Sequence, residues 1–131
     1  MLKLNLPPAP PLNNAYANNR RTGGRYKTTR YKNWIKAADA YYMAQACHLV
    51  SKITVPYQCR MTFPLGMGGD LDGRAKLILD WLVKRELVID DKHCRRLHLE
   101  IDHMRWHGRD VYVEVEPYDA RPFVSDRPLA A

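Results

Sequence analysis

The chain has few cysteines and no long hydrophobic run, which excludes several classes of protein. Cys47, Cys59 and Cys94 are the three cysteines among 131 residues, and none of them forms a CxxC motif. Such widely spaced thiols predict reduced, buried side chains in a reducing compartment instead of a disulfide framework. No apolar run reaches the ~20 residues of a membrane span, and the apolar run at the N-terminus is too short for a secretory signal. We therefore expect a cytoplasmic protein that does not span a membrane.

Acidic residues are almost missing from the first half of the chain. Residues 1–69 contain ten Lys and Arg but one acid, Asp39, whereas residues 70–131 contain 11 basic and 13 acidic residues. The net charge is +7 and the sequence pI is about 9.5. This asymmetry predicts that the first half attracts a polyanion, while the second half holds a cation or carries acid–base chemistry.

Apolar periodicity predicts one mixed domain. Period-two alternation indicates strands at about 2–6, 53–63, 97–101 and 111–115, and helical spacing of apolar residues indicates helices at about 29–50 and 73–86. Pro56 cannot donate to a sheet ladder, so the second strand is either an edge strand or begins irregularly at Pro56. We expect an α+β fold (mixed α/β) with the order β-α-β-α-β-β, in which two helices pack on a single sheet of about four strands.

The domain is expected to cover residues 1–116, and residues 117–131 are expected to form an extended or frayed tail. Thr29 and Asp72 are the predicted N-caps of the two helices. Trp34 and Trp81 lie at helical spacing and are expected in the core.

Asp70-Leu71-Asp72 is the first candidate site. If this segment is extended, both carboxylates project to the same side, and two neighbouring anions favour a bound cation. Lys76 follows Asp72 by one helical turn and could contact a phosphate or a developing oxyanion. The alternative is structural, with Asp72 as an N-cap and Asp72–Lys76 as a surface ion pair.

Asp90-Asp91 ends a short apolar run and supplies further carboxylates. The predicted second helix is about 20 Å long, and Asp91 lies about five residues beyond it. Asp91 can join Asp70 and Asp72 within one chain only if the helix is short or the chain turns straight back, or a partner subunit can supply it across a dimer. His93 is a possible neighbour of this site, but the histidines and cysteines lack the spacing of a zinc centre.

Residues 13–29 are expected to form a long loop rich in Asn and basic residues, and long ordered loops are often functional. The stretch at 20–32 contains six Arg and Lys, no acid, and two tyrosines. Arg and Lys neutralise phosphates and tyrosine stacks on exposed bases, so we expect contacts with nucleic-acid phosphates that provide affinity and positioning. The alternative is a solvated loop that leads into the first helix. The basic residues predicted to contact the nucleic acid are Arg20, Arg21, Arg25, Lys27, Arg30 and Lys32.

Together these residues resemble the RusA-type Holliday junction resolvases, a family of small phage- and prophage-associated endodeoxyribonucleases. The resemblance covers most of the chain and is sharpest at residues 70–91, DLDGRAKLILDWLVKRELVIDD. It also includes the Pro-rich and Asn-rich segment at 7–16. This chain has Gly73 where the family usually has Asn, Glu86 where a glycine is common, and Lys92-His93 after the Asp pair. It also has Gly68-Gly69 where basic residues often stand.

The resemblance implies a Mg²⁺-dependent homodimer, with Mn²⁺ as a substitute ion, that makes paired nicks at four-way DNA junctions. It implies that Asp70, Asp72 and Asp91 are the catalytic, metal-binding acids and that Lys76 assists them. Asp90 is a possible neighbour of these acids, and Asn13 and Asn14 would lie near the site and the DNA. Two other interpretations stay open: a protein that binds junction or duplex DNA without cutting, and a metal nuclease for other branched DNA. No membrane or small-molecule cofactor is expected.

Overall fold

The computed structural model describes residues 1–45, 51–67 and 70–119. Predicted features at Ala46–Val50, at Gly68 and Gly69, and at residues 120–131 lie outside this range, including Cys47 and most of the expected tail. The described elements are β1 (Leu2–Leu6), β2 (Tyr16–Asn18), β3 (Arg25–Lys27), α1 (Thr29–Ala44), β4 (Tyr57–Pro64), α2 (Leu71–Lys84), β5 (Cys94–Asp102) and β6 (Val111–Pro117).

The main sheet has four strands in the order β1-β6-β4-β5. β6 is antiparallel to both β1 and β4, whereas β4 and β5 are parallel and are connected through α2. The predicted α+β class is therefore confirmed, as is a four-stranded sheet with two main helices. In the described residues, no helix has both the length and the apolar character needed to cross a bilayer.

The expected loop at 13–29 contains a small antiparallel hairpin, β2–β3, which the prediction missed. Each strand has only three residues, and most of their side chains are polar, so alternation does not reveal them. The turn is closed by Asn19, whose side-chain Oδ1 accepts from the Arg21 amide at 2.9 Å and whose amide donates to the Gly24 carbonyl at 2.7 Å. The basic stretch is consequently held in place by hydrogen bonds.

Both helices contribute to a single core with one face of the sheet. The apolar positions of β1, β4 and β6 face the core as predicted, and Leu2, Leu4 and Leu6 are fully buried opposite Val115, Val113 and Val111. In β5, by contrast, Leu97 is exposed. Trp34 and Trp81 are buried in the core as expected. The opposite face carries polar residues that are nonetheless buried, namely Gln58, Glu114 and Glu116. Gln58 Nε2 donates to Glu116 at 2.6 Å, which offsets part of the cost of burying these groups.

Asp39, the one acidic residue among residues 1–69, has a structural role. Asp39 Oδ1 accepts a 3.0 Å hydrogen bond from the indole of Trp81 and lies 3.7 Å from Arg85. Asp39 lies on α1 and its two partners lie at the end of α2 and just after it, so this carboxylate links the two helices.

Several predicted boundaries shift by one or a few residues. β4 lies between β6 and β5 and begins after Pro56, so the edge-strand alternative is wrong. Thr28, not Thr29, is the N-cap of α1, because its side chain accepts from the Tyr31 amide. The second helix begins at Leu71, so Asp70 holds the N-cap position that we predicted for Asp72. β6 extends to Pro117, one residue beyond the expected domain boundary.

Candidate active site and nucleic-acid interface

Asp70 and Asp72 stand at the start of α2. Asp70 occupies the N-cap position without making a side-chain capping hydrogen bond, and Asp72 lies in the first helical turn. The expectation that DLD is extended is therefore wrong, since only Asp70 has extended backbone angles. Both carboxylates are exposed. They lie at the positive end of the helix dipole, which favours anions there.

Gly73 allows a close contact between α2 and the segment that precedes β2. A Cβ atom built on Gly73 would lie 2.9 Å from Leu12 Cβ and 3.1 Å from Asp70 Oδ2. Leu12 opens a single 3₁₀ turn that continues through Asn13 and Asn14. The missing side chain at Gly73 thus brings the two asparagines towards the first turn of α2.

A cavity of about 730 Å³ lies beside Asp70 and Leu12. Asn13 and Asn14 line it, as predicted for residues near the site, and so do Arg25 and Arg74. Asn18 lines it as well, so a carboxylate, three amides and two guanidinium groups surround one volume. Guanidinium and amide groups hydrogen-bond to phosphate oxygens, whereas the carboxylate suits a hard cation.

Arg74 was not singled out in the sequence, although it follows Asp70 by one helical turn. Its Nη1 donates to the Ala9 carbonyl oxygen. Burial, reinforced by the charge of Arg30, lowers the pKa of Arg74, and the charge of Asp70 opposes this shift. Arg74 also lines a second cavity of about 730 Å³ together with Arg30 and Arg109. Arg74 therefore connects the Asp70 cavity to a second arginine-lined surface.

The predicted DNA-binding residues divide between several positions. Arg20 and Arg21 are exposed in the turn between β2 and β3, and Arg30 and Lys32 are exposed in the first turn of α1. Arg25 lies over the Tyr16 ring, 4.5 Å from its centroid, and the stacked ring limits the motion of this guanidinium group beside Asp70.

Lys27 belongs to a different surface from the Asp70 cavity. It lines a cavity of about 210 Å³ with Asp80 and Lys84, near the middle and end of α2. A side-chain contact with Lys84, followed by burial, lowers the pKa of Lys27, while the charge of Asp80 raises it.

Asp80 is a carboxylate that the sequence analysis missed. Burial raises its pKa, and the charge of Asp91 adds to this shift, whereas Lys76 and Lys27 lower it. Lys76 itself is exposed on the second turn of α2, four residues from Asp72 and four from Asp80. The helical spacing from Lys76 was the signal that could have identified Asp80.

Asp90 and His93 form a local cap just before β5. Asp90 Oδ1 accepts from the His93 backbone amide at 2.9 Å and lies 2.6 Å from His93 Nδ1. These contacts with His93 lower the pKa of the Asp90 carboxyl group. Asp90 thus caps the 3₁₀ turn at Asp91–His93, and Asp91 at the head of this turn is exposed.

The structure does not bring Asp91 to Asp70 and Asp72 within one chain. Asp70 follows the end of β4, and Asp91 precedes the start of β5, which is parallel to β4. The 14 residues of α2 separate these two edges of the sheet by about 20 Å. Within residues 1–45, 51–67 and 70–119, no three His, Cys, Asp or Glu side chains are grouped so that they could hold a metal ion.

A comparison with models of known protein families found no match, and a comparison with curated proteins found no similar sequence. The functional interpretation consequently depends on the residues and the geometry described above.

Proposed function

We propose that this protein is a Mg²⁺-dependent endonuclease that resolves four-way DNA junctions by paired nicks, in recombination, repair or phage DNA processing. The observation that carries the proposal is the cavity beside Asp70, where an exposed carboxylate faces amides and guanidinium groups. The sequence resemblance to the RusA-type resolvases supports the same activity. Because such a DNA substrate lies in the cytoplasm of a bacterial or phage-infected cell, we propose a cytoplasmic location for the protein as well.

The donor set at the start of α2 fits Mg²⁺. This ion usually keeps several waters and takes one or two carboxylates together with substrate phosphate oxygens. Asp70 and Asp72 provide two exposed carboxylates, so a phosphodiester in the adjoining cavity could complete the shell. When bound, the ion would supply the positive charge that activates a water and stabilises the leaving 3′ oxygen.

The basic and amide residues around the carboxylates would position the DNA backbone. The guanidinium groups of Arg25 and Arg74 can donate hydrogen bonds to a phosphate, and Asn13 and Asn14 can donate from their amides. None of these groups reads a base edge in this role, so they provide affinity and register. Binding is expected to weaken steeply with added salt, because each neutralised phosphate releases counterions.

The distance between Asp70 and Asp91 favours a composite site in a homodimer. Because α2 separates the two acids within one chain, we propose that a partner subunit supplies Asp91. A two-fold dimer would then have two equivalent sites, which suits two equivalent strands of a junction.

Cleavage of a synthetic four-way junction by the Asp70→Asn variant tests the activity. We expect cleavage to fall by at least about 100-fold, as when one charge-stabilising group is removed, while junction binding stays equal or becomes tighter. Glu86→Gln is the matched control, since it removes an exposed carboxylate beyond the other end of α2. Wild-type cutting rates in the Asp70→Asn protein would refute the assignment.

Mixing two inactive variants tests the composite site. If Asp91 acts across the dimer, a heterodimer of Asp70→Asn and Asp91→Asn chains retains one intact site. After subunit exchange in an equal mixture, about half the dimers are heterodimers, so nicking should recover to about a quarter of the wild-type rate. A mixture as inactive as each variant alone, with exchange verified by a mass tag, would contradict the composite site.

The two other interpretations are separate outcomes of these assays. Junction binding that is unaffected by Mg²⁺, with no nicks, would favour a non-cleaving binding protein. Equal cleavage of flapped and four-way substrates in competition would favour a nuclease for branched DNA in general. The contact with Leu12 gives the glycine at position 73 a packing reason, which is independent of whether the protein cuts DNA.

A further inference from the structure

The turn between β5 and β6, at residues 103–110, is built by one buried carboxylate. Asp102 accepts hydrogen bonds from the amides of Trp106 at 3.1 Å and His107 at 2.9 Å, and it is only 4% exposed. The His107 ring stacks on Tyr112 with a centroid distance of 4.2 Å and an interplanar angle of 3°. This turn is therefore fixed by contacts within it and to the sheet.

The ordered turn presents an aromatic ring to solvent. The Trp106 side chain is 78% exposed, and the neighbouring Met104 is 68% exposed. The other two tryptophans, Trp34 and Trp81, are 5% and 2% exposed and donate their indole protons to Pro7 O and Asp39 Oδ1. Exposing a large aromatic ring on a rigid support favours a partner that covers it.

The arginines of this turn supply the charge that a polyanionic partner needs. Residues 103–110 contain Arg105, Arg109, two histidines and one acid, Asp110, which accepts a hydrogen bond from Tyr41 at 3.2 Å. The cavity that Trp106 itself lines also contains Glu100 and Glu114, so the positive charge comes from the arginines and not from this cavity. Arg109 lines the same cavity as Arg30 and Arg74, and Arg74 also lines the cavity that contains Asp70. A series of arginine side chains thus connects the turn to the candidate active site.

The sheet places the turn and the site at the same edge. β4 and β5 are parallel, and their last residues, Pro64 and Asp102, are register partners. The chain after Pro64 leads to Asp70, and the chain after Asp102 forms the turn. A nucleic-acid strand that follows the arginines from Asp70 therefore reaches Arg109, which lies in the same turn as Trp106.

We propose that Trp106 is a stacking platform for an unpaired base of a DNA strand whose phosphates contact Arg109 and Arg74. Aromatic rings stack on any base, and a basic path beside them binds the backbone, which is the usual combination in proteins that bind single strands. This inference rests on the proposed function only in naming DNA as the partner. It assigns a binding role to a residue outside the acidic site.

Tryptophan fluorescence tests the platform directly, because Trp106 is the one exposed indole of the three. We expect a single-stranded oligonucleotide, and a four-way junction with unpaired arm ends, to quench the emission of the wild-type protein in EDTA. A closed DNA dumbbell without unpaired bases should quench it much less. The Trp106→Phe protein should retain its remaining emission under every condition, since Trp34 and Trp81 are buried.

Substitution measures the contribution to affinity. Trp106→Ala should weaken binding of the oligonucleotide by roughly 5- to 150-fold, the range for one stacked base, and Trp106→Phe should recover most of the loss. The backbone amide that bonds to Asp102 remains in both variants. Tyr118→Ala is the matched control, because Tyr118 is an exposed aromatic residue at the opposite end of β6 and should leave affinity unchanged.

The outcomes separate this inference from the proposed nuclease. Quenching with no cleavage of any DNA would support the platform and refute the nuclease, whereas cleavage without quenching would refute the platform alone. Unchanged affinity in Trp106→Ala would also overturn it. Concentration-dependent self-association that Trp106→Ala abolishes, with no effect of DNA on emission, would instead assign the turn to contacts between copies of this chain.

Discussion

A side chain at Gly73 should destabilise the protein even though Gly73 lies inside a helix. Gly73 is buried in the first turns of α2, and its φ lies outside the left-handed region. Alanine would ordinarily stabilise such a position by about 1 kcal/mol. In this chain, however, the added Cβ would lie 2.9 Å from Leu12 Cβ, an atom that cannot move without its backbone.

The two effects can be compared in magnitude. Forcing one methyl group into a packed contact costs about 1–3 kcal/mol, against a gain of about 1 kcal/mol from helix propensity. Gly73→Ala should therefore lower the free energy of unfolding by up to about 2 kcal/mol. Gly73→Asn should lower it further, because asparagine has a lower helix propensity than alanine and a larger side chain.

Urea unfolding of a double-mutant cycle measures this contact. Leu12→Gly removes the obstructing Cβ atom, so in that background Gly73→Ala should become stabilising by about 1 kcal/mol. The coupling free energy between the two substitutions should then be about 1–3 kcal/mol. If Gly73→Ala alone raised the free energy of unfolding by about 1 kcal/mol, the argument would be refuted, because Leu12 would then be moving aside at no energetic cost.

Two further predictions concern side chains that accept backbone hydrogen bonds, Thr28 at the start of α1 and Asp102 at the end of β5. Thr28→Ala should lower the free energy of unfolding by about 1 kcal/mol or more, since the Thr28 hydroxyl also donates to Asn14 O at 2.7 Å, whereas Thr29→Ala should change it by less than about 0.5 kcal/mol. The backbone amides of His107 and Trp106 lower the pKa of Asp102. The ionised Asp102 carboxylate therefore stabilises the folded protein at pH values above the ordinary carboxyl pKa. This stabilisation is lost as the pH falls through the lowered pKa that Asp102 has in the folded protein. The stability difference between wild type and Asp102→Asn, measured by urea unfolding, should shrink with acidification; a constant difference would contradict this.

The main sheet could be predicted because its core strands bury one face. Leu2, Leu4 and Leu6 are buried while Lys3 is exposed, so period-two alternation was visible. Apolar periodicity did not predict the β2–β3 hairpin, because this hairpin is stabilised by Asn19 and by local backbone hydrogen bonds and not by apolar burial. The one-residue error at Thr28 and Thr29 arose because both residues can cap a helix, and only the observed hydrogen bond to Tyr31 distinguishes them.

The candidate site could be predicted only in part, because spacing along the chain does not give distances across the fold. Asp70 and Asn13 are far apart in the sequence but line one cavity, since Gly73 admits the Leu12 turn. The family resemblance predicted that Asn13 lies near Asp70, and the packing of the Leu12 turn against Gly73 explains why the two residues are close. Arg74 and Asp80 were missed although each follows a candidate residue by one helical turn, because spacing does not show the burial that shifts the pKa of both side chains.

The parallel pairing of β4 and β5 decides which residues can act together in one chain. In a strand–helix–strand unit, residues after the two strands share one edge, and residues before the second strand lie at the other. Asp70 and Trp106 follow the ends of β4 and β5, whereas Asp91 precedes β5. One chain can therefore combine the Asp70 carboxylate with the proposed stacking ring at one edge, whereas the proposed role of Asp91 in the same site would require a second chain. The proposed binding surface and the proposed catalytic set thus place different demands on assembly, and a monomeric variant should retain the first while losing the second.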